Sequence, residues 1–133
     1  ETPFNCSAVG LDSIAFQEFR EMMSNDEAIL GLIERYMEES PNLLQSMREV
    51  LMSTHQQMLT EQEAIEFQRM AHSLKSTSAM FGAKHLEQLC QDLEIQKSPG
   101  SIAVLTELLL QAKTEYENVK TALLQKHQQL KNQ

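Results

Sequence analysis

His72, Lys75, Ser76 and Ala79 stand at helical spacing within the stretch MAHSLKSTSAMFGAKHLEQLCQDLE, residues 70–94. At ~100° per residue they share one stripe of a helix. Ala64, Phe67, Ala71, Leu74, Ser78 and Phe81 form a second stripe with the four-three alternation of a core-facing side. The two stripes are centred about 125° apart, so His72 belongs to the solvent side, with Lys75 one turn on. A solvated imidazole is mostly uncharged near neutral pH and is nucleophilic. It can accept a phosphoryl group on a ring nitrogen as a covalent intermediate. A lysine one turn away offsets the charge that such a group brings, and Ser76 and Ala79 leave room for another backbone to approach. Spacing alone, however, favours the plainer reading, a solvated helix face.

Other chemistries find less support. The four histidines, at positions 55, 72, 85 and 127, include no i, i+4 pair and no HExxH arrangement, so no metal site is expected. There is no G-x-S-x-G elbow and no Gly-rich phosphate loop. Cys6 and Cys90 are far apart in sequence, and Cys90 falls on an apolar helical face, which reads as a buried thiol. The eight methionines read mostly as core filler. With 11 Lys and Arg against 19 Asp and Glu, the net charge is -8. An acidic chain without a basic stripe is a poor partner for nucleic acid or an anionic membrane. No apolar run approaches the ~20 residues of a bilayer span, and no export signal is visible. These features lead to the expectation of a cytoplasmic, monomeric domain. Because the chain opens at Glu1 without a methionine, it reads as a fragment of something longer.

The elements that must position His72 are helices. Only 4 Gly, 3 Pro and 5% aromatic residues, with abundant Leu, Met, Glu and Gln, argue against a turn-rich β architecture. Residues 1–10 lack periodicity and read as an arm or linker, leaving 11–130 as one bundle domain. A short helix follows, capped near Asp12 or Ser13. A second is expected from about Asp26 to about His55, with Ser24, Asn25 and Asp26 as capping candidates and Pro41 imposing a kink or break after Glu39 or Ser40. A third runs from about Glu61 to Phe81 and a fourth from about Ala83 to Gln96. After the turn signal KSPGS at 97–101, a last helix starts near Ser101 and ends in a polar, fraying tail. Short connections predict an all-α, up-and-down antiparallel four-helix bundle with a short extra N-terminal helix. Gly82 reads as a helix C-cap and turn residue.

The segment 71–94 resembles the signature of histidine-containing phosphotransfer (HPt) domains, roughly A-H-x-L-K-G-small-small-x-x-G-A followed by L-x-x-L-C-x-x-L-E. Ala71, His72, Leu74, Lys75, Gly82, Ala83, Leu86, Leu89, Cys90, Leu93 and Glu94 all match. The resemblance implies that His72 is the phosphoryl acceptor and Lys75 its electrostatic partner. It implies exchange with the aspartate of a response-regulator receiver domain in a multistep phosphorelay, with a sensor histidine kinase upstream. The chain has no nucleotide-binding segment, so catalytic help, including Mg2+, is expected from the partner. It reads as a phosphocarrier, either a module of a hybrid sensor kinase or a stand-alone relay protein. The alternatives are the phosphorylated domain of a chemotaxis-type kinase and a helical adaptor that docks partners without transfer.

Two positions depart from the commoner family pattern. Ser76 stands where glycine is usual, and Glu94 where many members have Gln. In an antiparallel hairpin about Gly82, residues Gln91 to Glu94 lie beside His72. Glu94 then either holds the imidazole or is an ordinary solvated helix residue. Ser76, Ala79 and Arg69 are candidates for partner docking. Lys84 and His85 could also touch an acidic receiver surface, although plain solvation explains them as well.

Overall fold

The computed structural model describes residues 10–95 and 101–133. Five helices account for nearly all of them: α1 (Ser13–Met23), α2 (Asp26–Ser53), α3 (Glu61–Met80), α4 (Lys84–Ile95) and α5 (Ile102–Lys131). The expected arm lies outside the described residues except for Gly10, and the 97–101 turn does so except for Ser101.

Local chemistry accounts for the helix starts. The side chain of Asp12 accepts from Ala15 N at 3.0 Å and that of Asn25 from Ala28 N at 3.0 Å, each satisfying a backbone donor that the first helical turn leaves open. At Thr60 the cap is reciprocal: Glu63 N donates to Thr60 Oγ1, and Thr60 N donates to Glu63 Oε1, a capping box. Ser24, in the left-handed conformation at φ 54°, turns the chain from α1 into α2. Arg20 then closes a two-pronged ion pair on Asp26 at 3.0 and 2.9 Å.

Packing joins α2 to α3, α3 to α4, α4 to α5 and α5 back to α2, with α1 against α2. The six residues of the expected core stripe on α3, Ala64, Phe67, Ala71, Leu74, Ser78 and Phe81, are all buried. Ser78 is tolerated there because its hydroxyl meets Tyr36 Oη at 2.8 Å, so neither polar atom is left unpaired. Phe81 stacks edge-on against Phe19 and Tyr36 at centroid distances of 5.6 and 5.2 Å.

Three expectations are corrected. First, of the kink or break expected at Pro41, the break does not occur: α2 continues as one helix to Ser53. The missing proline N–H leaves the carbonyl four residues back, that of Met37, without its helical donor. The hydroxyl of Tyr116 on α5 points to that oxygen at 3.5 Å, the long limit of a hydrogen bond, and so supports the helix from outside. Second, the polar end of α5 stays helical to Lys131. Leu130 is buried there, His127 bonds Glu34 of α2 at 2.7 Å, and Arg20 reaches Gln133, so sparse tertiary contacts outweigh the polar composition. Third, only Met47 is fully buried, while Met22, Met52, Met58 and Met80 are exposed; the methionines are not mainly core filler.

Gly82 is the joint between α3 and α4. It adopts φ 84°, and its N–H reaches Ala79 O at 3.1 Å while Ala83 N reaches Ser78 O at 2.9 Å. These two bonds are a Schellman motif, which satisfies the carbonyls of Ser78 and Ala79 in the last turn of α3. The Gly82 carbonyl in turn accepts from Asp12 N at 2.8 Å, and a Cβ at this position would lie 2.9 Å from that of Ala15. Gly82→Ala therefore meets both a left-handed backbone penalty and a clash with α1. A loss of about 1–3 kcal/mol is expected, read as a lower denaturant midpoint at constant m; a loss under ~0.5 kcal/mol would show that α1 is free to yield.

Candidate functional site

The α3–α4 turn fixes which residues of the two helices face each other, and thereby assembles the site. Leu74 and Ala71 on α3, and Leu93 and Cys90 on α4, are buried between the helices. Their outward neighbours His72, Lys75, Gln91 and Glu94 are left along one edge of the pair. The His72 side chain is 60% exposed, as expected of a solvent-side histidine.

Glu94 is the centre of the constellation. Its Oε2 lies 2.8 Å from His72 Nδ1, and its Oε1 lies 2.6 Å from Lys75 Nζ. The Oε1 atom is shut off from solvent, and the lysine meets it outside the angles of a directed hydrogen bond, as a point charge can. The Lys75 ammonium also donates to Gln91 Oε1 at 3.0 Å. One carboxylate thus bridges imidazole and ammonium, and Gln91 fastens the ammonium from the other side. Of the two readings open for Glu94, the structure places it on the imidazole. Gln91 proves to be a partner of Lys75 rather than of the histidine.

The Lys75 ammonium holds the Glu94 carboxyl below its ordinary value; desolvation, the next effect in size, opposes it, and the His72 hydrogen bond adds to the lowering. Glu94 is then ionised at neutral pH and can only accept hydrogen bonds. His72 Nδ1 must be the protonated nitrogen, because a carboxylate has no proton to give. The lone pair is therefore assigned to Nε2, on the opposite edge of the ring.

A carboxyl whose pKa falls on folding stabilises the fold at pH values above its unfolded pKa, and that contribution disappears as pH drops through the folded pKa. The difference in thermal midpoint between wild type and Glu94→Gln should accordingly hold steady through neutral pH. It should close only in acid, below the ordinary glutamate range. A difference that vanishes already near neutral pH would contradict an ionised clasp.

Ser76 and Ala79 are exposed on α3 beyond Lys75, and Arg69 is exposed one turn before His72. Lys84 and His85 are engaged within the chain: Lys84 pairs with Asp12 at 3.0 Å, and His85 lies 3.4 Å from Glu115. Thr77, which the sequence reading passed over, turns its hydroxyl back onto the carbonyls of Ser73 and Leu74 at 3.1 and 3.2 Å. Cys90 lies buried behind the site, and desolvation pushes its thiol up to about 12, leaving it inert as a nucleophile. Among the described residues no three His, Cys, Asp or Glu side chains gather to hold a metal ion. No described helix is long and apolar enough to cross a membrane.

A family model described as "Hpt domain" matches residues 31–131, more than half of the chain. No curated protein and no solved structure matches it.

Proposed function

The chain belongs to the Hpt domain family, and from that premise we propose that His72 Nε2 carries a phosphoryl group between receiver aspartates in a multistep phosphorelay. The observation that carries the assignment is the 2.8 Å contact between His72 Nδ1 and Glu94 Oε2. It orients the ring, fixes its tautomer and directs the remaining lone pair outward.

The transfer balances without any further reagent. The Nε2 lone pair attacks the phosphorus of a receiver aspartyl phosphate; the N–P bond forms as the P–O bond to the aspartate breaks, and the aspartate leaves as a carboxylate. Nδ1 keeps its proton, so the ring gains positive charge as the bond forms. Glu94 faces that charge at hydrogen-bond distance, an arrangement that stabilises the transition state more than the resting ring. Lys75 is shared between Glu94 and Gln91 beforehand and is near enough to turn toward the arriving phosphoryl oxygens. The reverse step returns the group to an aspartate by the same path.

Partner roles follow from the same reading. A receiver domain supplies the aspartate and the Mg2+ that shields the phosphoryl oxygens. A sensor histidine kinase stands upstream, a partner the family membership supports. Ser76, Ala79 and Arg69 form the surface on which the receiver docks. The bundle is proposed to run up and down in antiparallel order, and the domain to act as a cytoplasmic monomer.

The direct test is incubation with a receiver domain phosphorylated on its aspartate, followed by mapping of the modified residue. The expected product is acid-labile and alkali-stable, as a phosphoramidate is, and it maps to His72. An alkali-labile product, or no transfer from several receivers, would count against the reading.

A further inference from the structure

The packing order α2–α3–α4–α5–α2 puts the seam between α2 and α5 on the side of the molecule away from His72 and Glu94. That seam opens into a groove of about 580 Å³, within the usual range of small-molecule sites. Its floor is apolar, with Leu44, Leu51, Leu109 and Tyr116 among the lining residues. At its edge Met52 and Leu110 are 66% and 56% exposed, so two large apolar side chains stand in water where an occupant would cover them.

Charge selects the occupant. Arg48 of α2 and Lys113 of α5 line the groove from its two walls. Neither has an ion pair among the described residues, whereas Arg20, Arg35, Lys75 and Lys84 each hold a carboxylate. In a chain of net charge -8, two cations outside any described ion pair, against the single carboxylate of Glu117, leave this apolar trough locally positive. Glu117 also lines the groove and disfavours a second negative charge in the ligand at that end. We propose that the α2–α5 groove binds a soluble single-chain amphipathic anion, an acyl carboxylate, with its head between Arg48 and Lys113 and its chain on the leucine floor. This site is independent of phosphoryl transfer, and its failure would leave the role of His72 untouched.

The probe is dodecanoate below its micellar concentration, followed by heteronuclear NMR of the intact chain. Saturable shifts are expected at Leu44, Leu51, Leu109 and Tyr116, and dodecyl alcohol should bind at least ten-fold more weakly. The double variant Arg48→Gln, Lys113→Gln should lose at least ten-fold in dodecanoate affinity with an unchanged thermal midpoint, since both residues lie at the surface. The protein should remain in the supernatant with anionic phospholipid vesicles. Absence of saturable shifts at the groove, equal binding of the alcohol, undiminished affinity in the double variant, or sedimentation with vesicles would each overturn the proposal.

Discussion

Replacing His72 with Gln is expected to abolish phosphoryl uptake from a phosphorylated receiver while leaving the thermal midpoint almost unchanged. The loss is complete because the glutamine amide nitrogen, its lone pair delocalised into the carbonyl, is no nucleophile. Stability survives for two reasons. The side chain is 60% exposed, and surface changes of this kind usually stay within about 0.5 kcal/mol. The amide N–H2 can also take over the donation to Glu94, so the buried Oε1 keeps its lysine and the clasp is not orphaned. The measurement pairs acid-labile labelling with a thermal melt. Label that persists in a folded His72→Gln protein would transfer the assignment elsewhere, with His85 first in line because it is the other exposed histidine on the α3–α4 pair.

The sequence exposed the fold wherever a single helix carried its own instructions. The α3 stripe from Ala64 to Phe81 is a periodic pattern with period 3.6, and each of its six members is buried. Asp12 and Asn25, both among the expected capping candidates, cap through atoms within three residues; Thr60 caps in the same way but is not among them. What escaped depends on partners far along the chain. Pro41 looked like a breaker because nothing near it offers a donor to Met37 O; the donor is Tyr116, 79 residues away. The end of α5 looked frayed because its neighbours in sequence are polar, yet Glu34 and Arg20 meet it from α2 and α1.

The site divides along the same line. His72 and Lys75 could be found from spacing on one helix, and Gly82 from turn chemistry. The hairpin argument brought Gln91 and Glu94 to the right helix face, but it could not distribute them. Which of two long carboxylate or amide side chains reaches the imidazole depends on side-chain reach and on the small offset of α4 against α3, and neither is written in residue spacing. An i, i+3 pair of acceptors at 91 and 94 was the available signal for a lysine held from two sides. Lys84 and His85 are exposed, and their carboxylate partners, Asp12 and Glu115, lie outside α3 and α4, so residue spacing does not show those pairs.

Ala79→Arg should leave a normally folded protein that transfers phosphoryl groups at least on the order of 100-fold more slowly. Ala79 follows His72 by two helical turns, so it lies about 10 Å along α3 on almost the same azimuth. In-line transfer demands near contact between Nε2 and the phosphorus, with both proteins held in a single orientation. A misplacement of ~1 Å can cost about 100-fold. A receiver whose loops rest on Ser76 and Ala79 cannot tolerate a guanidinium at that point without tilting away from His72. The substitution asks little of the fold, because Ala79 is exposed and outside the buried stripe, and arginine is a good helix former. Its backbone carbonyl, which accepts from Gly82 N at 3.1 Å, is unaffected by the side chain. Ala79→Ser is the control: it adds one small atom and should transfer at close to the wild-type rate. Single-turnover transfer from a phosphorylated receiver, measured beside thermal melts of both variants, separates docking from folding. A folded Ala79→Arg protein that matches the wild-type rate would place the receiver on a different face of α3.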